Sequence, residues 1–387
     1  MRKGSRNFCA ALATRLAALA FGAALIFGMA ACGGSDEQVF VIPGKASQSQ
    51  AASGAYAKIG SKTINGVEYD LVTFGLWPQT IKAANVTVND SESKAAGAFT
   101  YCKGSDGQWY VKIKERACPP VCKYSDGTTA KESSADSWKW FKVEPIKWRV
   151  LTTNYNGTGK KLLFAESVLA NGVYYDYQSV NRTVGGKTIH PNNYEHSRVR
   201  AFLNGLSYQR KASADGQQAA CDDFLGKGFL QTAFTADELA IIADTSVDNG
   251  KRSTFPNANA KQWNNGENPY ASDTPTTDKV FLLSLQEVTT GAYGFDENYN
   301  AAGVGNARIR AATDYARASG ANQNRTEGLG GWWWQRSPFY GVYGVYGDDY
   351  SARYADSDGE SFYYAIVSEV NDGVGFGDIV PALCVEN

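Results

Sequence analysis

Histidine and methionine each occur only twice in the 387 residues. With His190 and His196 as the whole supply, no second pair or nearby imidazole completes a zinc site, and histidine acid–base chemistry has little to work with. No serine or cysteine stands in a Gly-x-Ser-x-Gly elbow, which removes the commonest signature of a serine hydrolase. Beyond the first residues lysine and arginine form no run, and the formal net charge is -1, so the chain has no row of cations to neutralise phosphates and nucleic acid is not an expected partner. The apolar run from Leu16 to Met29 covers about 14 residues, short of the roughly 20 that a helix needs to cross a bilayer core.

Glycine (40) and tyrosine (22) are abundant instead, a balance that suits a β- and loop-rich protein. At 43% hydrophobic residues the chain has enough apolar side chains for a full core. The N-terminus carries Arg2, Lys3, Arg6 and Arg15 with no acid, then the short apolar run, then Met29-Ala30-Ala31-Cys32. Basic head, short apolar core and small residues before a cut define a secretory signal. A cysteine directly after two alanines resembles a lipobox, in which that cysteine becomes the acylated first residue of a bacterial lipoprotein. The expectation is a signal peptide over 1–31, lipidation at Cys32, and a cell-envelope location on a membrane anchor, at the surface of an outer membrane. Residues 32–60, poor in large apolar side chains, read as a flexible linker.

Besides Cys32 the exported part keeps Cys102, Cys118, Cys122, Cys221 and Cys384, an odd number that cannot all pair within one chain. Two readings stay open: a local disulfide from Cys102 to Cys118 or Cys122, or free thiols. Residues 61–142 read as N-terminal strands and a peripheral insert of hairpins. A strand over Val67–Trp77 is stopped by Pro78, another covers Gln108–Lys114, and turns fall at Ser105-Asp106-Gly107 and Ser125-Asp126-Gly127. Residues 143–387 read as the main domain. Val143–Leu151 and Lys161–Ala165 form a hairpin, and Ser197 caps a helix whose apolar stripe is Val199, Phe202, Leu203 and Leu206. Thr235 and Glu238 make a capping box, Ile309–Ser319 has the look of a short helix, and a closing strand covers Asp378–Val385.

Seven tyrosines lie between residues 340 and 364, interleaved with Gly, Ser and Asp. Tyrosine offers large, rigid, amphipathic contact area, and the small polar residues supply adaptable hydrogen bonding, the mixture of an evolved binding surface. The candidate ligand-binding set is Phe339, Tyr340, Tyr343, Tyr346, Asp348, Asp349, Tyr350, Tyr354, Asp356, Tyr363, Tyr364 and Val367. The competing reading is a glycine-rich hairpin whose tyrosines are core and edge residues.

Trp333-Trp334-Gln335-Arg336-Ser337-Pro338, then Ser357-Asp358-Gly359, then Ile379-Val380-Pro381-Ala382-Leu383, resembles the C-terminal signature of a large bacterial domain family that reads roughly WWLRSP, SDG and VRPAL. That family is common in lipoproteins of spirochaetes and other anaerobes. Upstream blocks at 145–151, 196–204 and 278–284 resemble it too. Two departures stand out: Gln335 replaces the usual leucine, and the arginine before the final proline is missing at Asp378-Ile379. The family is similar to C-type-lectin-fold proteins, including formylglycine-generating-enzyme-like domains and variable proteins of diversity-generating retroelements. The resemblance implies an α+β, C-type-lectin-like domain with an antiparallel core and two flanking helices, plus the N-terminal hairpin region. It also implies a protein or glycan ligand bound on another cell or host. The calcium-binding triplets of sugar-binding C-type lectins are absent, and no cofactor, metal or catalytic role is expected. Two alternatives remain beside the binding protein. One is a carbohydrate-active envelope enzyme using an aspartate pair from Asp348, Asp349, Asp356, Asp358, Asp372 and Asp378; the other is a structural envelope lipoprotein.

Overall fold

Two strands of 15 residues, β2 (Val67–Ile81) and β6 (Trp138–Thr152), organise the chain. In β6 Phe141 and Val143 are buried on one side of Pro145 and Ile146 and Trp148 on the other, so the inward phase flips around Pro145, and from Trp148 to Leu151 every residue is buried. The computed structural model describes residues 57–387 except 117–122, 130–136, 177–178, 212–217, 257–267, 273, 322–328, 341–349, 362–363 and 368–376. The proposed signal peptide, Cys32 and most of the linker lie outside the described residues. Among those described, no helix is long and apolar enough to cross a membrane.

β1 (Ala57–Ile64) pairs with β2 across the Asn65-Gly66 turn, where both residues adopt the positive φ that such a hairpin needs. β3 (Val88–Ala96), β4 (Phe99–Gly104) and β5 (Trp109–Lys114) follow as antiparallel neighbours. β7 (Lys161–Ala165), the strand Ala382–Val385 and the strand Val280–Phe281 extend the same sheet to nine strands. β6 is the junction: residues 138–142 pair with β5, 148–152 with β7, and 141–149 with β2, all antiparallel. The hairpins before residue 142 are therefore continuous with the main sheet. Pro78 does not end β2. It pairs with Val143 just before a register shift, a position where the missing N–H of proline is tolerated.

The fold is β-rich α+β, with four short helices among the described residues. In α1 (Arg198–Asn204) the Ser197 hydroxyl accepts from the Arg200 N–H at 3.2 Å. Gly205 ends that helix at φ 67°, where a Cβ would lie 2.1 Å from Gln231 Oε1, so both conformation and space demand glycine. α2 (Phe229–Ala233) and α3 (Ala236–Ile241) follow, the latter opened by the expected Thr235/Glu238 capping box. Of the helix expected over Ile309–Ser319, α4 covers only Asp314–Ala318; Arg310, in the expected first turn, and Arg308 just before it are drawn inward as fully buried cross-links.

Arg308 spends its five N–H bonds on main-chain carbonyls alone: Gly359 at 2.5 Å, Val288 at 3.1 Å, Asp296 at 2.8 Å, Asn298 at 3.0 Å and Ala301 at 2.9 Å. Burial lowers its pKa to about 10, but it stays charged at neutral pH. Arg310 donates to the carbonyls of Ala165, Ala307 and Ile309, and shares Glu166 with the buried Arg149 and with Lys62. Burial opposes the Glu166 charge, yet Arg310, Arg149 and Lys62 outweigh it and hold the carboxyl down at about 2. Cys102, Cys221 and Cys384 are buried free thiols, so of the two readings for Cys102 the unpaired one is observed.

Replacing Arg308 by Met leaves five carbonyls short of a donor in the interior, and unfolding by urea is expected to show a loss of more than about 3 kcal/mol. Lys112→Ala, which removes an exposed pair with Asp90, serves as the contrast and is expected to cost under about 1 kcal/mol.

Candidate functional site

The C-terminal part of the chain builds a second, three-stranded antiparallel sheet: Trp333–Pro338, Ser351–Ala355 and Tyr364–Ile366. Every residue of the first two strands is buried. Trp333 packs on Phe164 of β7 at 5.4 Å between ring centroids, and Trp334 packs edge-on against Tyr175 at 5.5 Å. The sheet is thereby locked to the main core by its aromatic strand.

Arg336 is the strongest anchor. Its guanidinium donates to both oxygens of Glu287, one contact being very short, to the Leu282 carbonyl at 2.8 Å and to the Asp248 carbonyl at 3.0 Å. The Tyr155 hydroxyl adds a 2.6 Å bond to Glu287, and Tyr175 donates to the Arg336 carbonyl. Burial pushes Glu287 toward neutrality, but the Arg336 charge and hydrogen bonds win and hold it below its ordinary value. The same pairing raises Arg336 against the pull of burial.

The candidate residues separate into three groups. Val367 is fully buried, and Tyr354 is packed between Trp332 and Trp334 at 5.7 and 6.4 Å. Phe339 is also buried, under Tyr364 at 3.6 Å and beside the Arg353 guanidinium at 5.2 Å. These three are packed into the interior, Tyr354 within a strand that is buried along its whole length and Phe339 and Val367 just beyond the ends of their strands. Tyr364 is 42% exposed and stacks flat on Phe339, and its cross-strand partner is Arg353. Tyr340 and Tyr350 are half-buried, as is Asp356. Tyr343, Tyr346, Asp348, Asp349 and Tyr363 lie outside the described residues, as does Asp372.

Sequence reasoning missed the residues that flank this surface. Tyr340 meets Tyr270 edge-on at 5.6 Å, and Tyr270 meets His190 at 4.8 Å, giving a short aromatic row drawn from three distant segments. Beside it, Thr254, Phe255, Asn268, Tyr299, Tyr340 and Arg353 line a crevice of about 10 Å3, room for about one water molecule. A crevice of that size is too small to enclose a ligand. No spacing in the sequence joins residues 190, 254, 270, 299 and 353, so no local signal announced them.

Among the described residues, oxygens of Asp356, Asp358 and Glu360 lie within 4.8 Å of one another, a spacing that can hold a cation. Asp356 is pushed up to about 7, first by burial and then by a hydrogen bond with Asp358 and that group's charge. One shared proton relieves the repulsion that a cation would otherwise relieve. Carboxyls in direct contact are closer than the roughly 5 to 9.5 Å that glycosidase pairs keep, and Asp378 is wholly buried with its pKa well above the ordinary value. Among the described residues, Asp356, Asp358 and Asp378 therefore do not have the arrangement of a glycosidase pair.

A β-rich α+β domain with a tightly anchored aromatic C-terminal sheet is the class that these features define. Residues 158–387 match the family model described as a domain of unknown function (DUF6273), and the chain belongs to that family. No curated protein and no solved structure matches it.

The folded Asp356 holds its proton to about pH 7, whereas the unfolded group releases it near 3.8. Its contribution to stability is therefore complete below about pH 4 and is lost as pH rises to about 7. Thermal unfolding of Asp356→Asn is expected to lose that downward slope between pH 4 and 7. An unchanged slope would show that the pair does not share a proton.

Proposed function

We propose that this protein is a lipid-anchored envelope protein that binds a protein or glycan ligand through its C-terminal face. On this reading export by residues 1–31 and acylation of Cys32 place a C-type-lectin-like body outside the cell, at the surface of an outer membrane. The observation that carries the reading is Tyr364: a ring 42% exposed, lying flat on a buried Phe339, over a strand buried along its whole length. An exposed aromatic on a stiff support gives contact area with little side-chain freedom to lose. Tyr340 and the half-buried Tyr350 extend the face, and residues 341–349 connect them in sequence. Buried strands that carry an exposed Tyr364 and the half-buried Tyr340 and Tyr350 suit a variable protein of a diversity-generating retroelement, because exposed contacts can change without unsettling the core. Among the described residues of this face the crevice is small and the carboxyls of Asp356 and Asp358 are in direct contact, which suits binding better than turnover.

Tyr340→Ser and Tyr364→Ser are expected to weaken binding on protein and glycan arrays by more than about tenfold each while the melting temperature barely moves. A collapse of stability with no separate effect on binding points to interior tyrosines and sinks the reading. Cys32→Ala is expected to abolish incorporation of labelled palmitate and release the protein from membranes. For the retroelement, a reverse transcriptase gene and a near-identical template repeat beside the coding region are expected; their absence removes that part.

A further inference from the structure

A second surface feature lies between the β6–β7 hairpin and the hairpin of Thr245–Val247 with Thr276–Asp278, and one of its lining residues, Asp248, takes the Arg336 guanidinium on its carbonyl. It is an open groove of about 400 Å3, within the size range of small-ligand sites and far larger than the one-water crevice. Tyr155 forms its floor and Pro275 part of its wall. The floor is rigid, because the Tyr155 hydroxyl is bonded to Glu287 and its ring stacks on Phe281 at 5.9 Å.

The polar lining has unspent capacity of both kinds. The side chains of Asn156 and Ser246 are exposed and make no hydrogen bond among the described residues. Asp248 gives one oxygen to the Gly250 N–H at 2.8 Å and keeps the other. Lys160 donates to the Asp244 carbonyl at 2.8 Å and is 3.5 Å from Glu386, so its charge is already offset. The exposed Thr158 hydroxyl donates to the Tyr155 carbonyl, which leaves its lone pairs as acceptors, whereas Thr245 is buried and donates to the Ala243 carbonyl.

Mixed donors and acceptors with a free carboxylate oxygen and no unoffset cation disfavour phosphate and carboxylate ligands. They match a neutral ligand each of whose groups both donates and accepts, which is the property of a sugar hydroxyl. We propose that this groove binds one neutral saccharide unit, with Asn156, Ser246 and Asp248 holding its hydroxyls above Tyr155 and Pro275. The site is independent of the C-terminal face and does not rest on that proposal.

The test titrates the full chain with methyl glycosides of glucose, galactose, mannose and N-acetylglucosamine, and with inorganic phosphate as the anionic control, by calorimetry and ligand-observed NMR. At least one glycoside is expected to bind and phosphate is not. Asn156→Gly removes the amide at a residue whose φ of 50° suits glycine, so the fold is expected to tolerate it. Together with Ser246→Ala it is expected to weaken the glycoside more than tenfold at unchanged melting temperature, as is Asp248→Asn, whereas Tyr364→Ser leaves the affinity intact. Failure of all four glycosides, tighter binding of phosphate, or affinity that survives the double substitution overturns the proposal. Affinity lost in Tyr364→Ser but kept in the groove variants also overturns it and assigns the sugar to the C-terminal face.

Discussion

The salt bridge between Arg336 and Glu287 is the constraint on which the rest of this structure leans. Both partners are buried, and isolated charges there would cost several kcal/mol each. They remain ionised because each supplies the other's countercharge and because neighbouring groups take up the remaining bonding capacity. Those neighbours come from separate parts of the chain: Tyr155 from the β6–β7 hairpin, the Asp248 carbonyl after the strand Thr245–Val247, and the Leu282 carbonyl beyond the edge strand of the main sheet. The Ser284 N–H completes the set by donating to Glu287 at 2.8 Å. Removing either charge strands the other in the interior, so the pair enforces one arrangement of four segments.

Arg308 extends the same logic with main-chain carbonyls as its only hydrogen-bond acceptors, and Arg310 combines main-chain carbonyls with Glu166. Much of the chain after β7 is irregular, and irregular backbone that is covered by other segments needs donors for its carbonyls. A guanidinium supplies five in a fixed plane, which lets one side chain cross-brace several loops. Arg308 does this for 288–301 and for Gly359, directly beside the carboxyl cluster of Asp356, Asp358 and Glu360. The positions of the loops under the C-terminal face are thus set by interior arginines, while the surface tyrosines take no part in that bracing.

Both candidate recognition surfaces stand on this framework. Tyr364 is stacked on Phe339, next to Arg353, and the saccharide groove has for its floor the ring whose hydroxyl closes the Glu287 network. In each case the part offered to solvent is exposed and lightly bonded, and the part beneath is dry and cross-linked. Such a division lets surface residues change at small cost, since substitutions that touch no buried contact generally shift stability little.

Local features were legible in the amino-acid sequence because their causes are local. The β6–β7 hairpin, the Ser197 cap, the Thr235/Glu238 box and the aspartate turns at Asp106 and Asp126 each follow from a few adjacent residues, and each is present. The α+β character was legible from the family resemblance of the C-terminal motifs, with which the capped helices and alternating strands agree. Tertiary context decided what periodicity could not. Pro78 sits inside β2 because a bulge accommodates it, and the stretch before α4 is not helical because Arg308 and Arg310 serve distant carbonyls. Composition marked the tyrosine-rich stretch as a surface, yet Phe339, Tyr354 and Val367 are buried, because distant segments cover the strand Ser351–Ala355 and its flanks and composition does not record which segments meet. The meeting of Tyr340 with Tyr270 and His190, and of Asn156 with Ser246 and Asp248, joins positions far apart in the chain. Only the folded sheet, with its interior charges satisfied, brings them together.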